Sequence, residues 1–132
     1  MLGGYLQLSR AMKRAKLDRA TSERISIAIQ VRQGCELCLH SHEAAARSLG
    51  VTESEIELAR DATSADPRIA AMTAFGFRVF AEPNAITDAD VDALRGFGYR
   101  DREIADVPGV VALNVLTGSF NLAAGLRAAA TG

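Results

Sequence analysis

One helix-start signal recurs along this chain and constrains it more than any other feature: an apolar residue, a capping position, two residues, an acid, then a second apolar residue. Val51-Thr52-Glu53-Ser54-Glu55-Ile56 supplies a threonine N-cap, glutamate at N3, and a Val51 to Ile56 hydrophobic staple. Ile86-Thr87-Asp88-Ala89-Asp90-Val91 repeats it with aspartate at N3, and first-turn acids also favour the helix dipole. Tyr99-Arg100-Asp101-Arg102-Glu103-Ile104 is a weaker third copy, because arginine cannot accept a bond from the orphan N–H groups. These are three helix starts without a true internal repeat.

The remaining boundaries read as helices too. Leu2 to Ala15 forms a first helix, and Thr21 to Gln33 a second that Gly34 ends. A third begins near Cys35 and runs through three consecutive alanines, Ala44, Ala45 and Ala46, to Leu49, with Gly50 as a left-handed stop. Asp66-Pro67 caps and opens a helix through Phe80, and Pro83-Asn84 breaks the chain after it. The sum is six or seven helices with short connections. Tryptophan is absent and prolines number only three, which suits packed helices, and 132 residues give one domain with a real core. The expected class is therefore all-α, a single domain spanning residues 1–132.

Fifteen basic against sixteen acidic residues leave a net charge of −1, so the chain carries no electrostatic footprint for nucleic acid or an anionic membrane. Val107 to Leu126 is uncharged, but Pro108, Gly109, Asn114, Thr117, Gly118, Ser119 and Asn121 interrupt it, which favours a buried or interface helix over a membrane span. Met1 to Lys16 lacks a long apolar stretch with a small-residue cleavage site, so a cytoplasmic location is expected.

The candidate chemistry lies in Glu23, Cys35, Cys38 and His42. The only two cysteines stand three apart and close too small a loop to serve as a staple, which turns attention to redox or metal chemistry. On a helix, Cys35, Cys38 and His42 fall within about 60° of one another, so two thiols and an imidazole share a face. A reactive cysteine needs a base beside it or a lowered pKa, and a helix N-terminus with a histidine one turn on offers both. Glu23, reaching over from the preceding helix, would orient the ring and stabilise the imidazolium. A sulfenic acid on Cys38 would then condense with Cys35 to a disulfide and release water.

Other chemistries fit less well. Zinc could draw on Cys35, Cys38, His40 and His42, but His40 lies roughly 160° from Cys38 around the helix, so both histidines cannot meet one tetrahedral ion. A thioredoxin-like domain needs a strand before the dithiol, and none precedes Cys35. Taken singly, each cysteine reads as core, Glu23 as a solvated acid and His42 as a surface residue; their combination after a glycine break is what argues for a site. Phe75, Phe77 and Phe80 read as core or interface rather than as a substrate pocket.

Glutamate, eleven residues, Cys-x-x-Cys, three residues, histidine resembles the signature of the alkylhydroperoxidase D-like members of the carboxymuconolactone decarboxylase superfamily. Gly34 through His42 and on to Leu49-Gly50-Val51-Thr52 resembles that family's core helix and its exit. Ala85 to Val91 and the last helix, with Phe120-Asn121, are similar to its peroxidase-related branch. The resemblance implies an all-helical fold assembled as a homo-oligomer, commonly a trimer or hexamer, with the site near subunit contacts. It implies Cys38 as the peroxidatic cysteine, Cys35 as the resolving one, and His42 with Glu23 as a proton relay. A further histidine that the best-characterised members carry before the second cysteine is replaced by Leu37, which removes one polar contributor. Decarboxylase relatives lack the cysteine pair.

Three functions remain open at this level. The first is a thiol peroxidase that reduces small organic hydroperoxides at the expense of a dithiol or protein reductant and without a bound cofactor. The second is a thiol-disulfide oxidoreductase that never meets peroxide. The third is a non-catalytic redox-sensing oligomer whose dithiol switches packing.

Overall fold

The computed structural model describes residues 1–127 and consists of seven α-helices and one short 3-10 turn, with no strand among the described residues. The helices are α1 (Leu2–Met12), α2 (Arg19–Gln33), α3 (Glu36–Ser48), α4 (Glu53–Arg60), α5 (Pro67–Ala81), α6 (Asp88–Gly96) and α7 (Asp101–Ala123); the turn, Pro83–Ala85, lies between α5 and α6. The expected all-α class and helix number are those observed. Residues 128–132 of the expected domain lie outside the described residues.

The start signals work as local chemistry predicts, with one difference. Thr87 and Asp90 form both halves of a capping box. The Thr52 hydroxyl accepts from the Glu55 N–H, but the Glu55 carboxylate turns away to Arg24, Ser64 and the Ala65 N–H. At the third copy, Glu103 accepts from the Arg100 N–H at 2.9 Å, so the acid's half of the box forms, while the arginine side chain accepts nothing from the helix start. Asp66 caps α5 by accepting from the N–H groups of Arg68 and Ile69. Gly34 and Gly50 adopt the left-handed conformation expected of them, with φ of 83° and 88°.

Two boundaries shift. The first helix stops at Met12 rather than Ala15, because Asp106 accepts the N–H groups of Lys16 and Leu17 and ties the α1 to α2 link onto α7. The second begins at Arg19, capped by the Asp18 carboxylate. α7 runs through Pro108 as one helix, and Pro108 itself is exposed, on the side of the helix away from the core.

α2 runs through the middle of the molecule, and every residue from Arg24 to Gln30 is buried. Ile25 and Ile29 face a core built with Met72 and Phe75 of α5, Leu94 of α6, and Ile104, Val107 and Val110 of α7. Ile27, on the other side, faces a smaller core with Ala46, Val51, Ile56 and Ala59. A helix buried on all sides has no single apolar stripe, and its polar members must find partners inside. Ser26 and Gln30 find theirs on α7, with Asn114 at the centre: its side-chain N–H groups donate to Ser26 Oγ and the Val110 carbonyl, and its Oδ1 accepts from Gln30 Nε2 at 3.0 Å. This bonding fixes α7 against α2, with the polar side of α7 turned toward α3.

Candidate functional site

Cys35 and Cys38 are joined as a disulfide, with their Cα atoms 5.3 Å apart. Their positions on α3 differ from a simple shared face. The helix begins at Glu36, so Cys35 is its N-cap, in extended conformation, and its sulfur accepts from the Cys38 N–H at 3.3 Å. The N-terminal N–H group thus serves Cys35, while Cys38, at the third helical position, turns its sulfur elsewhere. Cys38 lines a cavity of about 950 Å³ and Cys35 does not. Of the two sulfurs, only that of Cys38 can be approached from this cavity.

His42 lines the same cavity one turn beyond Cys38, and its Nδ1 lies 2.7 Å from Glu23 Oε2. Glu23 is held on α2, and both side chains are partly buried. The contact inferred from the sequence is therefore present, with Nδ1 engaged and Nε2 left as the ring's other proton-carrying position. All four sequence-predicted residues converge, three on the cavity and Cys35 behind it. His40 is exposed and does not line the cavity.

The rest of the cavity comes from α1, the link after it, α2, α3 and α7. Met12, Leu17, Leu37, Val110 and Leu113 give it an apolar side, and Ser22, Ser26, Asn114 and Thr117 a polar one. Lys13 and Arg19 are the other charged residues around it. Phe75, Phe77 and Phe80 are not part of it: Phe75 belongs to the main core, Phe80 packs against that core, and Phe77 lines a separate hollow with Arg32 and Arg60.

One residue in direct contact with the dithiol was not singled out as a site residue by sequence reasoning. Asn121 of α7 places Nδ2 3.3 Å from Cys38 Sγ. Its signal was present in the spacing of Asn114, Thr117 and Asn121, which recur three and four apart in an otherwise uncharged helix and so share one side. Against a membrane span the same residues count only as interruptions.

A model of the carboxymuconolactone decarboxylase family matches residues 2–82, a span that holds Glu23, Cys35, Cys38 and His42. The chain belongs to this family. Two solved structures show the same fold over nearly the whole chain of this carboxymuconolactone decarboxylase family member. A peroxidase-related protein from Silicibacter sp. TM1040 superposes with a TM-score of 0.85 at 23% identity, covering 98% of this chain and 70% of that one. A peroxidase-related protein with an alkylhydroperoxidase AhpD core, from Ralstonia eutropha JMP134, gives 0.84 at 22% identity, covering 94% and 68%. No curated protein matches the chain. The fold is thus that of the alkylhydroperoxidase D-like members of the family, and it extends through α6 and α7, beyond the residues matched by the family model.

Proposed function

We propose that the protein is a thiol peroxidase that reduces small organic hydroperoxides through the Cys35 and Cys38 dithiol. The observation that carries this reading is the joint presence on one cavity of Cys38 and a histidine held by a carboxylate, with the partner cysteine bonded behind. In the reduced protein the Cys38 thiolate attacks the distal oxygen of the hydroperoxide. An S–O bond forms, the O–O bond breaks, and the departing alkoxide takes a proton from the His42 imidazolium and leaves as an alcohol. The Cys35 sulfur then attacks the sulfenic sulfur of Cys38, and the disulfide forms as hydroxide leaves, protonated, as water. An external dithiol supplies the two electrons that restore both thiols.

The apolar side of the cavity suits the organic part of a hydroperoxide, and the serine and asparagine side suits its oxygens. The test is stopped-flow oxidation of the fully reduced protein by cumene hydroperoxide, with disulfide formation as the readout. Oxidation far faster than that of a free thiol, abolished by Cys38→Ser, supports the reading. A rate equal to that of a free thiol overturns it and favours dithiol exchange.

The same reading includes a homo-oligomer, a trimer or hexamer. It is supported by the exposed apolar side chains of Leu2 and Leu6 on α1 and of Val115, Phe120 and Leu122 on α7. Light scattering on the eluting protein measures the number of subunits.

A further inference from the structure

The two sulfurs of the dithiol are addressed by different donors. Cys35 receives the backbone N–H of Cys38 at the start of α3, and Cys38 receives the side-chain N–H of Asn121 from α7. A helix start by itself would favour the anion on Cys35, the N-cap. Both cysteines are buried, but Cys35 does not line the cavity and Cys38 does, so a thiolate on Cys35 would meet no substrate from that side. Productive chemistry needs the anion on the other sulfur.

Asn121 is placed to arrange this. Its contact with Cys38 is the only side-chain hydrogen bond it makes among the described residues, whereas Asn114, two turns earlier on the same side of α7, is bound on all sides by Ser26, Val110 and Gln30. The Asn114 network fixes the position of α7 and leaves Asn121 free to serve the sulfur. Here that sulfur is half of a disulfide, a weak acceptor that stands in for the thiolate of the reduced protein, a much stronger one.

The geometry points to Asn121 as a catalytic residue that donates its Nδ2–H to the Cys38 thiolate and so holds the negative charge on the cavity-facing sulfur rather than on Cys35. The role rests on the reading of Cys38 as the nucleophile, and applies whether it attacks a peroxide or a disulfide. The other charged groups around the cavity are Lys13 just after α1, Arg19 and Glu23 of α2, and His42 of α3; α7 brings none. The asparagine amide is thus the contribution of α7 to the charge on Cys38.

The experiment is the pH dependence of Cys38 alkylation by iodoacetamide in the full chain carrying Cys35→Ser, which keeps a good N-cap and leaves one thiol. Asn121→Leu removes the donor, and Asn121→Asp removes it while keeping the shape and adding a like charge. A hydrogen bond to a charged group is strong enough that its loss should raise the alkylation midpoint by about one pH unit, roughly tenfold less thiolate at any pH below the midpoint. The aspartate variant should shift further. Asn121 is only partly buried, so both variants should fold; if the leucine variant does not, the aspartate variant decides. An unmoved midpoint in a folded variant overturns the role. The readout uses no peroxide, so a shifted midpoint in a protein inert to cumene hydroperoxide would sink the peroxidase reading and leave the role of Asn121 standing.

Discussion

His42 Nδ1 lies 2.7 Å from Glu23 Oε2, so the imidazole of α3 is held by a carboxylate of α2, on the helix that forms the centre of the fold. A carboxylate on Nδ1 fixes the tautomer in which Nε2 can take or give a proton and stabilises the ring when it is charged. His42→Ala should slow peroxide-driven disulfide formation about 100-fold or more, the range of general acid and base catalysis. Glu23→Gln should cost less, and the double variant should be no slower than His42→Ala, because a residue that works through another has no effect once its partner is gone. Rates that fall multiplicatively in the double variant would show that Glu23 acts independently of His42.

Both cysteines are buried, but only Cys38 lines the cavity, and this assigns the two different fates. A reductant thiol approaching from the cavity must attack the Cys38 sulfur and release Cys35, whose thiolate is met by the Cys38 N–H. In the Cys35→Ser protein, peroxide should leave a sulfenic acid on Cys38 that is not converted to a disulfide, and a small added thiol should form a mixed disulfide there. Mass spectrometry after dimedone or thiol trapping measures both. Trapping instead on Cys35 in the Cys38→Ser protein, at a comparable rate, would reverse the assignment.

Much of this was written in local chemistry, and what was not depends on contacts between distant segments. Thr52, Thr87, Asp66, Gly34 and Gly50 mark their helix ends through bonds to residues within a few positions, so sequence alone locates them. The motif spacing likewise brings Glu23 and His42 together, since one short turn at Gly34 joins their helices. Asn121 lies 83 positions from Cys38, and no local rule connects them. The early end of α1 at Met12 has the same cause, a bond from Asp106 ninety positions away. Glu55 shows a local pattern overridden: its spacing predicts a capping box, but Arg24, a buried cation on α2, takes the carboxylate.

Gly76 of α5 sits against Ile25 of α2 so closely that an added Cβ would lie 2.6–2.7 Å from three atoms of that side chain. Ile25 is completely buried and β-branched, so it has neither space nor a spare rotamer to yield. Alanine gains about 1 kcal/mol in helix propensity over glycine. Overpacking of a close-packed core costs about 1–3 kcal/mol, occasionally more, and three contacts this short belong at the upper end. Gly76→Ala should therefore lower stability by about 1–2 kcal/mol net, read as a drop in denaturant midpoint at unchanged slope. The pair Gly76→Ala with Ile25→Val should recover part of the loss if this contact is the cause; no recovery would place the strain elsewhere.

Acid sensitivity should centre partly on Glu55. Burial alone would raise its pKa, but hydrogen bonds from Ser64, Arg24 and the Ala65 N–H, together with the arginine's charge, outweigh burial and bring it below the usual 4.5. A carboxyl whose folded pKa is depressed contributes stability above its unfolded pKa and loses it as pH falls through the folded one, because the unfolded chain then binds more protons. Glu55→Gln removes both the charge opposite Arg24 and the titration, and should cost about 1.5–3 kcal/mol at pH 7, the range for a hydrogen bond to a charged group. The gap between wild type and variant should stay constant from pH 7 to about 5 and narrow below 4.5 as the wild-type carboxyl protonates. Chemical denaturation of both proteins at several values between pH 7 and 3 measures the gap. A gap that persists unchanged at pH 3 would mean that the loss reflects altered packing around Arg24, with no contribution from the Glu55 charge.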